Sequence, residues 1–169
     1  MGFTNFFTQF SNAQKSHVQM EFNAITPSMY IGTNMCCTTH YKLALIDKGV
    51  LHDVSLEGEA IDAPFGVETF LWLPTEDHSA PTQQDLILGV HHINAILDQK
   101  GKIYVHCKNG HGRAPTLVSA WFISQGMTTD EAVKKVQDKR KEAHIERVQI
   151  TALRQFEKGM IKKKSVRYS

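Results

Sequence analysis

The stretch Val105-His106-Cys107-Lys108-Asn109-Gly110-His111-Gly112-Arg113-Ala114-Pro115-Thr116 constrains this chain more than any other. Ile103 to His106 reads as a strand after the turn at Gly101. Ala114 to Gln125 reads as an apolar helix, with Pro115 in the first turn, where a missing N–H costs nothing. Between them Gly110 and Gly112 permit a tight loop whose successive N–H groups point inward, which is what an anion nest requires. The helix N-terminus adds partial positive charge at the same place. That field stabilises a thiolate at Cys107 and so makes it a nucleophile. Arg113 offers a planar fork able to hold two phosphoryl oxygens through a trigonal-bipyramidal transition state, which a lysine could not do as well. Lys108, Asn109, Gly110, His111, Gly112 and Arg113 are therefore the expected phosphate-binding set. His106 points to the other side of the strand, where its expected task is to orient the loop by hydrogen bonding.

Around this loop the chain alternates strand and helix patterns. Pro27 to Gly32 reads as a short strand, and Thr39 to Asp47 as a short helix stopped by Gly49. Val50 to Leu56 and Thr69 to Leu73 read as buried strands. Thr82-Gln83-Gln84-Asp85 has the form of a capping box opening a helix to about Gln99. Thr129 to Lys141 and Arg147 to Lys158 supply two more helices. Strands separated by helices predict an α/β fold, a mostly parallel central sheet with helices on both faces. The expected division is an amphipathic segment over 1–24, one catalytic domain over 25–160 and a basic tail over 161–169. Phe3, Phe6, Phe7 and Phe10 fall at helical spacing in the first segment. A helix packed on its own domain is the expectation there, with a membrane- or partner-binding helix as the alternative.

Composition removes several function classes. Lys and Arg exceed Asp and Glu by only two (19 − 17), so a broad cationic face for nucleic acid is not expected. No apolar run is long enough to predict a membrane span, and the first residues lack the basic-then-apolar order of a secretory leader. Three cysteines do not make a disulfide framework, which fits a reducing, cytoplasmic setting. Cys36 and Cys37 are expected to pack as small residues; a reversible disulfide with Cys107 is the alternative. The nine histidines show no metal-ligand spacing, and His91 and His92, adjacent on a helix, splay apart. Neither metal nor cofactor is expected, and the chain reads as a monomer.

His-Cys-x5-Arg on a strand–loop–helix resembles the protein tyrosine phosphatase superfamily, and the short chain resembles its dual-specificity branch over roughly Ile25 to Phe156. Leu73-Pro74-Thr75-Glu76-Asp77-His78-Ser79-Ala80-Pro81 is similar to the family's general-acid loop, an Asp followed four residues later by Pro. The resemblance thus makes Asp77 the proton donor, with Glu76 as the competing carboxylate. Pro74-Thr75-x-Asp77, Tyr104 to Arg113, His144-Ile145 and Gln149 look most like the mitochondrial-type phosphatidylglycerophosphate phosphatases. Gln149 matches a family glutamine that places the hydrolytic water; otherwise it would be an exposed helix residue. Lys108 and His111 resemble the loop charges of phosphoinositide phosphatases, which implies multiply anionic substrates.

One departure stands out. Most relatives carry Ser or Thr directly after the Arg, where the hydroxyl assists departure of the thiolate. This chain has Ala114, as plant glucan phosphatases do in Gly-Arg-Ala-Pro. Thr116 is the candidate substitute. The implied activity is a cysteine-dependent phosphatase of phosphoproteins, with an anionic phospholipid at a membrane surface as the alternative. A glucan phosphatase or a non-catalytic phosphate-binding module comes third. Trp72 and Trp121 are expected in the core.

Overall fold

A computed structural model of the chain describes residues 20–35, 38–61 and 64–166. Five strands form one sheet: β1 (Phe22–Thr26), β2 (Met29–Gly32), β3 (Val50–Glu57), β4 (Thr69–Thr75) and β5 (Lys102–His106), in the spatial order β1-β2-β5-β3-β4. Only the β1–β2 hairpin is antiparallel; β2, β5, β3 and β4 run parallel. The strand that delivers Cys107 is therefore the central one, flanked through the pairs Gly32↔His106 and Ser55↔His106. In open parallel sheets, sites form beyond the carboxyl ends of the strands, and Cys107 follows β5 directly.

The helices are α1 (Thr38–Ala44), α2 (Gln83–Asp98), α3 (Arg113–Ser124), α4 (Thr129–Lys139) and α5 (Arg147–Val166), with a 3₁₀ turn at Ile46–Lys48. The turn ends at Gly49, whose φ of 76° is the left-handed conformation expected of a terminating glycine. Both arms of the capping box at Thr82 and Asp85 are present, and Thr128 with Glu131 makes a second one. Ten of the twelve residues of α3 are buried, because the helix is apolar nearly all round and lies between the sheet and α2, α4 and α5. Leu117, Val118, Leu86, Ile93, Val136 and Leu153 join Val54, Leu56, Ile103 and Val105 in the main core. Each fully buried side chain of this size contributes about 1.5–3 kcal/mol. Tyr41, Leu45, Val50 and Tyr104 form a smaller core on the opposite face. The helices thus lie on both faces, as the alternation of patterns predicts.

Some details depart from the sequence reading. β1 has no counterpart in it: Phe22–Thr26 is a short edge strand beside a Pro-Ser turn. The last helix runs to Val166, beyond the expected end at Lys158. Trp72 is not core; it is 37% exposed on the edge strand β4, with its indole N–H donating to the Glu57 carbonyl at 2.8 Å. Trp121 is half-buried and bonds Asn94. The Phe stripe of the first segment, and Cys36 with Cys37, lie outside the described residues. No described helix is long and apolar enough to cross a membrane.

Candidate active site

Cys107 leaves the end of β5 at 2% exposure and lines a cavity of about 160 Å³ with Asp77, His78, Asn109, His111, Gly112, Arg113, His144, Glu146 and Gln149. Most of the expected site residues meet in this one place. Lys108 does not line the cavity; it is exposed, and its charge is felt at Glu59. Gly110 is also outside the lining, buried against β2 with φ at 65°. A Cβ there would come within 2.4 Å of the Gly32 carbonyl oxygen, so the loop's path depends on a glycine twice over. At Gly112 a Cβ would press on the Gln149 amide at 2.9 Å.

Three of the loop's carbonyls are tied by donors from elsewhere in the chain. Asn34 N–H donates to the Lys108 carbonyl at 3.1 Å, and His144 N–H to the His111 carbonyl at 2.7 Å. The Gly112 carbonyl accepts from both the N–H and the hydroxyl of Thr116, at 2.9 and 2.8 Å. In a trans peptide the N–H points opposite to the carbonyl, so each carbonyl pinned outward turns the following N–H inward. Thr116 thus spends its hydroxyl on the backbone of its own helix. Ala114, fully buried, offers none.

Arg113 is 2% exposed and is aimed by its own partners. Nη1 donates to the Glu59 carboxylate at 2.8 Å and to the Thr75 carbonyl at 2.8 Å, which uses both of its hydrogens. Nη2 meets Asp77 at 3.1 Å. That leaves the Nε–Nη2 edge, the bidentate side of the fork, for a ligand, with Nη2 beside Asp77 of the cavity wall. Burial disfavours the guanidinium charge, but the Glu59 bond and the charges of Cys107, Asp77 and Glu59 outweigh it and raise its pKa. Arg113 in turn holds the Glu59 carboxyl below the usual carboxylate range, mainly through that bond.

Asp77 lines the cavity, whereas Glu76 is exposed and outside it. The loop carrying Asp77 is fastened at two points to the start of α5. His78, in the left-handed region at φ 60°, bonds through Nδ1 to Glu146 at 2.7 Å. That carboxylate raises the pKa of His78 above the ordinary imidazole value. Gln149 donates from Nε2 to the Ser79 carbonyl at 2.9 Å and accepts from Glu146 N–H at 2.9 Å. Gln149 is 1% exposed, so the exposed-residue reading does not hold for it. One of its amide hydrogens and one lone pair remain for a water.

His106 lies on the opposite face of β5, stacked on Tyr104 with ring centroids 5.3 Å apart and bonded through Nε2 to Asp53 at 3.2 Å. Glu59 and Asp53 hold Arg113 and His106, contacts that the sequence reading did not find. Their partners are 54 and 53 residues away, and neither residue belongs to a recognisable local motif. Among the described residues no group of three or more His, Cys, Asp or Glu side chains is arranged to hold a metal ion.

Comparison with known proteins identifies a family for the chain. The family described as "Dual specificity phosphatase, catalytic domain" matches residues 29–159. The human "Phosphatidylglycerophosphatase and protein-tyrosine phosphatase 1" is 31% identical over 94 residues, 55% of this chain and 47% of that protein. An uncharacterized protein of Methanocaldococcus jannaschii is 35% identical over 63 residues, 37% of this chain and 39% of its own length. The matched stretches thus span less than half of these curated relatives. Among solved structures, PTPMT1 in complex with PI(5)P superposes with a TM-score of 0.77 at 22% identity, covering 85% of this chain and 98% of that one.

Proposed function

The chain belongs to the family of dual specificity phosphatase catalytic domains, and from that premise we propose that it hydrolyses phosphomonoesters through a cysteinyl-phosphate intermediate. The observation that carries the reading is the meeting of Cys107, the loop's inward amides, the Arg113 fork and Asp77 in one cavity. Phosphate enters against the Nε–Nη2 edge of Arg113 and takes the place of the Asp77 carboxylate on Nη2. Cys107 sulfur then forms the S–P bond in line while the bond to the leaving oxygen breaks. Asp77 gives that oxygen its proton. The amides and Arg113 hold the equatorial oxygens, whose charge they match in the transition state. In the second step water attacks phosphorus, its proton passes to Asp77, and the S–P bond breaks to release phosphate. Gln149 aligns that water with its spare hydrogen and lone pair.

The second step is the slower one in this reading. A hydroxyl at residue 114 would donate to the departing sulfur, and Ala114 cannot. Thr116 is no substitute while its hydroxyl serves the Gly112 carbonyl at 2.8 Å. Ala114→Ser is expected to speed phosphoenzyme hydrolysis about tenfold, the worth of one hydrogen bond to a charged group, as read from single-turnover kinetics. An unchanged rate would place the slow step elsewhere.

The lining favours a phosphate on a polar alcohol. Among the described residues, no aliphatic, Phe, Tyr or Trp side chain lines the cavity. Three imidazoles, His78, His111 and His144, line the same cavity as Arg113 and can donate N–H bonds to further phosphoryl oxygens. The substrate class favoured is therefore the phosphorylated headgroup of an anionic phospholipid. Phosphotyrosine, phosphoserine or phosphothreonine in a protein is the second reading, supported by the human relative whose name carries both activities. A panel of phosphatidylglycerophosphate and phosphoinositide vesicles, phosphopeptides and phosphorylated glucan decides between them. The expected result is a kcat/KM for a lipid headgroup about tenfold or more above that for a phosphotyrosyl peptide. A preference for the peptide reverses the order.

A further inference from the structure

The geometry points to Arg140, at the end of α4, as the positioning residue that turns the remaining two peptides of the phosphate loop, Asn109–Gly110 and Gly110–His111, so that their N–H groups face the substrate. This rests on the phosphatase reading and deepens it. Arg140 is 1% exposed and lies behind the loop, outside the cavity that Cys107 lines. Its Nε donates to the Gly110 carbonyl at 2.8 Å and its Nη2 to the Asn109 carbonyl at 3.1 Å. Its Nη1 donates to Asn23 Oδ1 at 2.6 Å, which ties the guanidinium to β1.

These two bonds complete an account that backbone and Thr116 donors leave unfinished. The carbonyls of Lys108, His111 and Gly112 are pinned outward by Asn34, His144 and Thr116. Those of Asn109 and Gly110 are pinned by Arg140. With all five carbonyls directed out, the N–H groups of residues 109 to 113 are directed in. No other side chain among the described residues bonds either carbonyl. Losing Arg140 would leave both peptides free to rotate and two buried acceptors without partners.

Charge reinforces the geometry. Among the described residues no carboxylate lies within 4.0 Å of Arg140, while Glu21 and Glu142 line the depression beside it. Its cation therefore faces mainly carbonyl dipoles, whose positive N–H ends project into the phosphate site. A buried cation on the carbonyl side favours that orientation of each dipole, and the loop carries its polarity forward. Asn23 has a part in this because it fixes the third corner of the fork.

The test compares wild type, Arg140→Met, Arg140→Lys and Asn23→Ala, using inorganic phosphate as a competitive inhibitor of p-nitrophenyl phosphate hydrolysis. Thermal melting is read alongside. Arg140→Met is expected to raise the phosphate inhibition constant about tenfold to a hundredfold, as loss of oriented hydrogen bonds to an anion does. Arg140→Lys, with one point donor for two carbonyls, falls between it and wild type. Asn23→Ala, which leaves Arg140 in place, shows a smaller rise in the same direction and decides the matter should Arg140→Met not fold. Unchanged phosphate inhibition in the variants, with only a lowered melting temperature, would reduce Arg140 to a packing role and overturn the inference. Wild type that neither binds phosphate nor turns over the aryl ester would instead overturn the phosphatase reading itself.

Discussion

Cys107→Ser is expected to lose turnover by about 10⁴-fold or more while still binding phosphate. A serine hydroxyl occupies nearly the same volume but is not ionised beside the loop amides, so the nucleophile is lost and the cradle is kept. The carbonyls of Lys108, His111 and Gly112 are held by Asn34, His144 and Thr116, none of which touches the sulfur through those bonds. Arg113 likewise keeps Glu59 and the Thr75 carbonyl. Binding is measured by isothermal titration with phosphate, and turnover with p-nitrophenyl phosphate. Retained activity in the variant would remove Cys107 from the mechanism. Loss of phosphate binding together with activity would mean that the sulfur itself holds the loop open.

Asp77→Asn comes second in size. An amide cannot give a proton to the leaving oxygen, and general acids are worth about 10²–10⁴ in rate for a poor leaving group. The loss should shrink for p-nitrophenyl phosphate, whose leaving group needs little protonation, and the high-pH limb of the kcat/KM profile should disappear with an alkyl phosphate. Phosphate affinity should hold or rise, because Arg113 Nη2 no longer shares itself with a carboxylate 3.1 Å away. Glu76→Gln is the control: the residue is exposed and outside the cavity, so its variant should behave as wild type. If the two variants exchanged phenotypes, the proton donor would be Glu76.

What the sequence made legible is what short-range physics determines. The strand–loop–helix around Cys107 could be read because glycines, a proline at the helix start and an apolar run all lie within a dozen residues or so. The capping box at Thr82 and the glycine stop at Gly49 are local in the same sense. Asp77 was found through its resemblance to a known loop and then fell within reach of Arg113. What escaped depends on distant pairings. Glu59 meets Arg113 across 54 residues and Arg140 meets the Gly110 carbonyl across 30, and no periodicity announces either. The Gln149 amide reaches Ser79 across 70 residues, so only the fold decides that it is buried. Trp72 misled for a related reason: an apolar neighbourhood in sequence does not tell an edge strand from a central one.

The proposed mechanism requires a sulfur that carries the phosphoryl group between two steps, and one measurement reaches it directly. Wild-type protein mixed with p-nitrophenyl phosphate, quenched with acid within the first turnover and analysed as intact protein and as peptides, should carry one added phosphoryl group, located on Cys107. The absence of a hydroxyl at Ala114 should make that species long-lived enough to collect. Rapid release of nitrophenol with no phosphoryl group on the protein, or with one on a residue other than Cys107, would contradict the mechanism.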